Sequence, residues 1–137
     1  MASKIFYVAV WLRSHYFRIT PWLLEKILRY LCGCEISAKM KVGRGLRLLH
    51  NGLGCVIHQG TTIGNNVEIH QNVTLGGRNG SGLPIIMDNV MIGAGAVVLG
   101  DIVIGKNSQI GANAVVIKDV PERSIVVGVP GKVIKTI

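Results

Sequence analysis

From Ile86 to Val116 the chain reads IMDNVMIGAGAVVLGDIVIGKNSQIGANAVV. Ile86, Ile92, Val98, Ile104, Ile110 and Val116 stand six residues apart. Glycine follows directly at Gly93, Gly105 and Gly111, and a small or apolar side chain stands two places ahead at Val90, Ala96, Ile102 and Ala114. Neither a helical period nor simple strand alternation generates this pattern. A hexapeptide repeat builds a parallel β-helix, in which short strands and tight turns stack into a three-sided prism.

The same spacing runs upstream through Ile57, Ile63, Ile69 and Leu75, with Gly64, Gly76, Val67 and Val73 in the matching places. It reappears at Ile36, Val42 and Leu48, with Gly43. Two intervals break it. Leu48 to Ile57 spans nine residues, so three leave the prism as a bulge within Leu49-His50-Asn51-Gly52-Leu53-Gly54. Leu75 to Ile86 spans eleven, so five leave as a loop within Gly77-Arg78-Asn79-Gly80-Ser81-Gly82-Leu83-Pro84. Glycine and proline mark that loop as an exposed connection, and loops on a rigid scaffold are where function concentrates.

With 137 residues the chain is long enough for one such solenoid of just over four coils. The formal charge of +8 points to an anionic partner. The cations are scattered, with no dense basic run and no aromatic-interleaved stripe, which argues against nucleic acid and for a phosphate-bearing small molecule. Three cysteines, Cys32, Cys34 and Cys55, form no disulfide framework, and a reduced, cytoplasmic compartment is expected. Cys32 and Cys34 lack the second pair that a structural zinc site needs. No P-loop or dinucleotide fingerprint occurs, because the Gly-x-Gly pairs follow the hexad.

Ahead of the repeats, the apolar run Ile5–Leu12 is too short to span a bilayer, which takes roughly 20 residues. Trp22, Leu23, Ile27, Leu28 and Leu31 mark a helical face behind Pro21. Two helices are predicted, over 4–16 and 21–32. They are expected to cap the open end of the solenoid, as terminal repeats require. Arg13, Arg18, Lys26 and Arg29 accompany the apolar residues, and peripheral membrane contact is the second reading. The chain thus divides into a helical cap, 1–34, and a hexapeptide-repeat domain, 35–137.

His50 opens the first slip. A histidine there suits a general base that takes a proton from an attacking hydroxyl; a loop histidine bonded to backbone is the alternative. Glu35 lies fifteen residues upstream, close to one coil, where its carboxylate would orient the imidazole. His58 and His70 read as turn residues. His50, His58 and His70 lack ligand spacing, so no metal is expected. Cys55, beside Val56 and Ile57, reads as a buried thiol rather than a nucleophile.

Several strings carry a resemblance: Leu48-Leu49-His50, Val73-Thr74-Leu75-Gly76-Gly77, Val90 to Ala96, Ile110-Gly111-Ala112, and Val127-Gly128-Val129-Pro130-Gly131-Lys132-Val133-Ile134. Over Glu35 to Val133 the chain resembles the catalytic half of the serine acetyltransferases, among the hexapeptide-repeat acyltransferases. The resemblance implies a left-handed parallel β-helix and a homotrimer with active sites between prisms. It implies acetyl-CoA as co-substrate, His50 as catalytic base and Glu35 as its carboxylate partner, where the serine enzymes carry Asp. It implies pantetheine contacts at Gly77, Ala94 and Ala112, and Lys132 near the CoA phosphates. The serine enzymes also carry an Asp before the histidine and Arg-His before the loop proline. Here Leu49, Gly82 and Leu83 stand in those places. A zwitterionic acceptor would leave its charges unpaired there. The expected activity is O-acetylation of a sugar or glycan hydroxyl; true serine acetylation and a non-catalytic β-helical scaffold are the rivals. The family's tail, whose final Ile docks into cysteine synthase, has a weak counterpart in Ile137.

Overall fold

The computed structural model describes residues 1–15 and 19–137. Helices α1 (Ala2–Ser14) and α2 (Ile19–Cys32) come first, each beginning two residues ahead of its predicted start. The predicted end of the first helix at residue 16, and Arg18, lie outside the described residues. The strands that follow are β1 (Lys41–Val42), β2 (Arg47–Leu48), β3 (Val56–Ile57), β4 (Thr62–Ile63), β5 (Glu68–Ile69), β6 (Thr74–Gly76) and β7 (Ile85–Ile86). Then come β8 (Met91–Ile92), β9 (Val97–Leu99), β10 (Val103–Ile104), β11 (Gln109–Ile110), β12 (Val115–Val116), β13 (Ser124–Val127) and β14 (Lys132–Thr136).

Consecutive strands never pair until the last two. Every third one does as far as β12, and β13 then follows β11 because the position between β12 and β13, at Val120, makes only a single bridge to Ile104. Three sheets so form the walls of a prism: β3-β6-β9-β12 (sheet A), β1-β4-β7-β10 (sheet B) and β2-β5-β8-β11-β13 with β14 (sheet C). The result is a left-handed parallel β-helix, against the right-handed rule for parallel crossovers. Register shows where the extra residues go. Ile86 pairs with Ile104, one coil of eighteen residues on. Val42 pairs with Ile63, three further than that, and Ile63 with Ile86, five further. Bulge and loop therefore leave the walls without shifting them.

The marked aliphatics point inward: Ile63, Ile69, Leu75, Ile86, Ile92, Ile104 and Ile110 are all buried. Val67, Val73, Val90, Ala96 and Ala114 fill the corners beside them. A buried isoleucine of this kind contributes about 1.5–3 kcal/mol. Asparagines make the turns. Asn66, Asn72, Asn89, Asn107 and Asn113 all adopt the left-handed conformation, which asparagine tolerates better than most residues. At one corner they form a ladder, the Asn66 amide donating to Asn89 (3.2 Å) and Asn89 to Asn107 (3.1 Å). At another, glycine alternates with asparagine. A Cβ on Gly95, at φ +70°, would lie 2.2 Å from the Asn113 amide oxygen, so no other residue fits without a shift.

Helix α1 lies along the first strand of sheet C, where it satisfies groups that would otherwise form an open edge. The Ser3 hydroxyl accepts the Leu48 N–H (2.8 Å). One turn on, the Tyr7 hydroxyl accepts the Leu46 N–H (2.8 Å) and donates to the Gly43 carbonyl (2.7 Å). Ala2, Phe6 and Leu28 join the same apolar cluster as the coils. The face expected on α2 is only partly inward. Leu28 is buried with Pro21 and Cys32, whereas Trp22, Leu23 and Leu31 are exposed. Glu25, Lys26 and Arg29 share one side of the helix, the rest of its circumference is apolar, and α1 and the first coil cover only part of that apolar arc. Among the described residues, no helix is long and apolar enough to cross a membrane. At the other end β14 folds back antiparallel on β13 and covers the edge of sheet C. Ile137 is held there through the Arg123 carbonyl (2.7 Å) and side chain (2.6 Å).

Candidate active site

The first slip folds as a tight turn over Leu49–Gly52, between sheets C and A. His50 (φ 50°, ψ 35°) and Asn51 (φ 57°, ψ 25°) are both left-handed. That conformation is strained for a residue with a Cβ and collects at functional positions. The backbone is held by the Leu53 N–H donating to the His50 carbonyl (3.2 Å) and the Cys55 N–H to Gly52 (2.9 Å). The His50 imidazole is exposed, and among the described residues nothing hydrogen-bonds to it.

Glu35 stands elsewhere. It bridges to Val56 at the head of sheet A, and its carboxylate meets Arg29 of α2 at 3.4 Å. The expected Glu35–His50 pair is therefore not formed within the chain. Fifteen residues is less than a coil plus the bulge, so Glu35 lies past the corner and on the wall while the bulge carries His50 outward. Arg29, the nearest cation, takes the carboxylate instead.

The corner that carries His50 runs the length of the prism. Asn72 donates its N–H to Leu53, Gly95 to Gln71 and Asn113 to Ala94, each linking one coil to the next. Ala94 and Ala112 sit on this line, between strands of sheets C and A. At its far end Val127 packs on Gly111 and pairs with Lys132. His50, Ala94, Ala112 and Lys132 thus follow one edge, over about 19 Å at 4.8 Å per coil. Gly77 does not. It follows β6 at the corner between sheets A and B. Gly77 and Ala94 therefore lie on different edges of the prism.

The other histidines are engaged. His58 Nδ1 accepts the Gly60 N–H (3.1 Å), a turn contact that leaves the proton of the neutral ring on Nε2. His70 Nε2 lies 3.4 Å from Glu68, whose other oxygen takes Arg47 at 2.6 Å. Among the described residues no three His, Cys, Asp or Glu side chains converge as a metal set. Cys55 is buried, its thiol donating to the His70 carbonyl (3.1 Å), and burial raises its pKa. Burial pushes Cys34 up to about 12, so neither thiol is a nucleophile near neutrality. A hollow of about 510 Å³ lies between α2 and sheet A, lined by Trp22, Arg29, Glu35, His58 and Thr74 among others, and does not reach His50.

Some of this escaped the sequence reading. The Asn ladder has a legible signal, an Asn three places after Ile63, Ile86 and Ile104, and the neighbouring corner has Asn or Gly in the same place after Ile69, Ile92 and Ile110, which supplies the left-handed turn. The Ser3 and Tyr7 contacts have none beyond their one-turn spacing.

Residues 84–118 match the model of the bacterial transferase hexapeptide family (six repeats). A serine acetyltransferase of Synechococcus elongatus is 44% identical over 130 residues, which is 93% of this chain and 53% of the relative. Among solved structures, serine acetyltransferase of Brucella abortus in complex with coenzyme A superposes with a TM-score of 0.89 at 34% identity, over 98% of this chain and 55% of that one. Soybean serine acetyltransferase complexed with serine gives 0.86 at 36% identity, over 97% and 56%. The chain spans about half the length of the curated relatives it matches. The likeness runs through the helices as well as the repeats, and the chain belongs to the hexapeptide-repeat transferases, in their serine acetyltransferase-like branch.

Proposed function

We propose that the chain is an acetyl-CoA-dependent O-acetyltransferase. The observation that carries this reading is the 44% identity over nearly the whole chain, beside a histidine-bearing bulge that folds as an exposed, left-handed turn. His50 takes the proton of the acceptor hydroxyl as its oxygen attacks the thioester carbonyl. The new C–O bond replaces the C–S bond, and His50 returns the proton to the departing thiolate. The edge from Ala94 to Ala112 admits a thin arm close to the main chain, and Lys132 at its end suits a phosphate. Gly77 completes the groove from a neighbouring prism, so the working form is a homotrimer with closed symmetry. Light scattering that finds an active monomer would remove the shared groove.

The names of the relatives favour L-serine as acceptor. A second reading, a neutral sugar hydroxyl, rests on Leu49, Gly82 and Leu83. Leu83 packs over Gly60 and Gly77 and presents no charge to an ammonium or carboxylate. Each unpaired charged group costs roughly 1–3 kcal/mol or more. Thiol release from acetyl-CoA decides between them, with L-serine set against a panel of mono- and oligosaccharides. Turnover of L-serine well above every sugar establishes the first reading and the reverse establishes the second. No release with any acceptor would leave a scaffold.

A further inference from the structure

We propose that the outer face of α2 docks on the surface of an anionic lipid bilayer. A helix in a folded chain normally buries its whole apolar arc. In α2 only part of that arc, Pro21, Leu28 and Cys32, is buried, against α1 and the first coil. The outward side carries Ile19, Trp22, Leu23, Tyr30 and Leu31, with Tyr30 80% and Leu31 73% exposed. These side chains surround a second apolar hollow whose one charged wall is Lys26. Contiguous apolar surface of this kind marks an interaction site.

Charge selects the occupant. Residues 1–32 hold five Lys or Arg and a single acidic residue, Glu25. Glu25 faces the coil, accepting the Ala38 N–H (2.6 Å) and the Ser37 hydroxyl (3.1 Å). Lys26 extends over the Trp22 ring at 5.9 Å, an amphipathic pairing suited to the headgroup layer, where an indole and an ammonium both find partners. A second copy docked on the same face would bring its Lys26 toward this one with no carboxylate on the face to receive it, which like-charge repulsion disfavours. The helix, at fourteen residues and about 21 Å, is too short to span the core and would lie in the plane of the surface.

The test is co-sedimentation of the full chain with vesicles of phosphatidylcholine alone or mixed with phosphatidylglycerol, together with tryptophan emission. Binding to the anionic vesicles is expected, weakened by 0.5 M salt and accompanied by a blue shift. The double variant Leu23→Glu, Leu31→Glu alters only exposed positions; it should lose about tenfold or more in partitioning while keeping its thermal midpoint. Several results would overturn the proposal: equal binding to both vesicle types, no binding to either, or unchanged binding of the variant. So would a concentration-dependent doubling of the assembly in light scattering that the variant abolishes without lipid.

Discussion

Between Ile86 and Val116 the prism turns without interruption; between Leu48 and Ile86 it is broken twice. The walls are alike in both stretches, with the same inward aliphatics and parallel register. What differs is the corners. In the regular stretch each corner is a short left-handed turn, tied to the coils above and below. In the interrupted stretch one corner puts out His50 and another puts out the loop from Gly77 to Pro84. A repeat that tolerates insertions at its corners separates stability from chemistry: walls carry the first and extra residues the second.

That separation is testable from its largest consequence down. His50→Ala should lower acetyl transfer by on the order of 10²–10⁴, the share a general base supplies. Its thermal midpoint should stay put, because the side chain is exposed. Glu35→Gln should cost less, since the carboxylate meets Arg29 in the isolated chain. Equal rates for wild type and His50→Ala would break the comparison outright.

The wall should respond in the opposite sense. Ile92→Ala empties a fully buried site and should lose about 2–5 kcal/mol in urea denaturation. Asn79→Gly, in the exposed loop and already left-handed, should stay within about 0.5 kcal/mol. Comparable losses at both positions would mean that the loop is part of the stabilising framework.

The junction of helix and prism gives a smaller effect. Tyr7→Phe leaves the Leu46 N–H and the Gly43 carbonyl without their partner and should lose about 1–3 kcal/mol by thermal denaturation. Tyr7→Phe melting like wild type would show that water replaces the hydroxyl there.

Smallest is the pH response of Cys34. Its folded pKa, about 12, stands above the reference of 9.0, so the folded state holds the proton more tightly. Stability from this group is whole below pH 9 and drains as pH rises from there toward 12, by up to about 1.4 kcal/mol per unit. The urea midpoint should therefore fall from pH 8 to pH 10, and Cys34→Ala should reduce that fall. An identical drop in the variant would assign it to other groups.

The amino-acid sequence by itself determined the prism, its inward residues, the two places where chain leaves it and the helices ahead of it. All of these depend on local period: a side chain's direction in a hexad follows from its place in the hexad, and a slip shows as a count. Tertiary structure decided which groups meet. Ala94 and Ala112 share an edge with His50 while Gly77 sits at another corner, because a corner is set by stacking, not by distance along the chain. Glu35 went to Arg29 because an exposed carboxylate pairs with the nearest cation in space, here on a helix that the repeat does not describe. The second apolar side of α2 was present in the composition from the start. Only the packed structure shows that α1 and the first coil cover one side and leave the other open, since a helical wheel records where side chains point and not what stands opposite them.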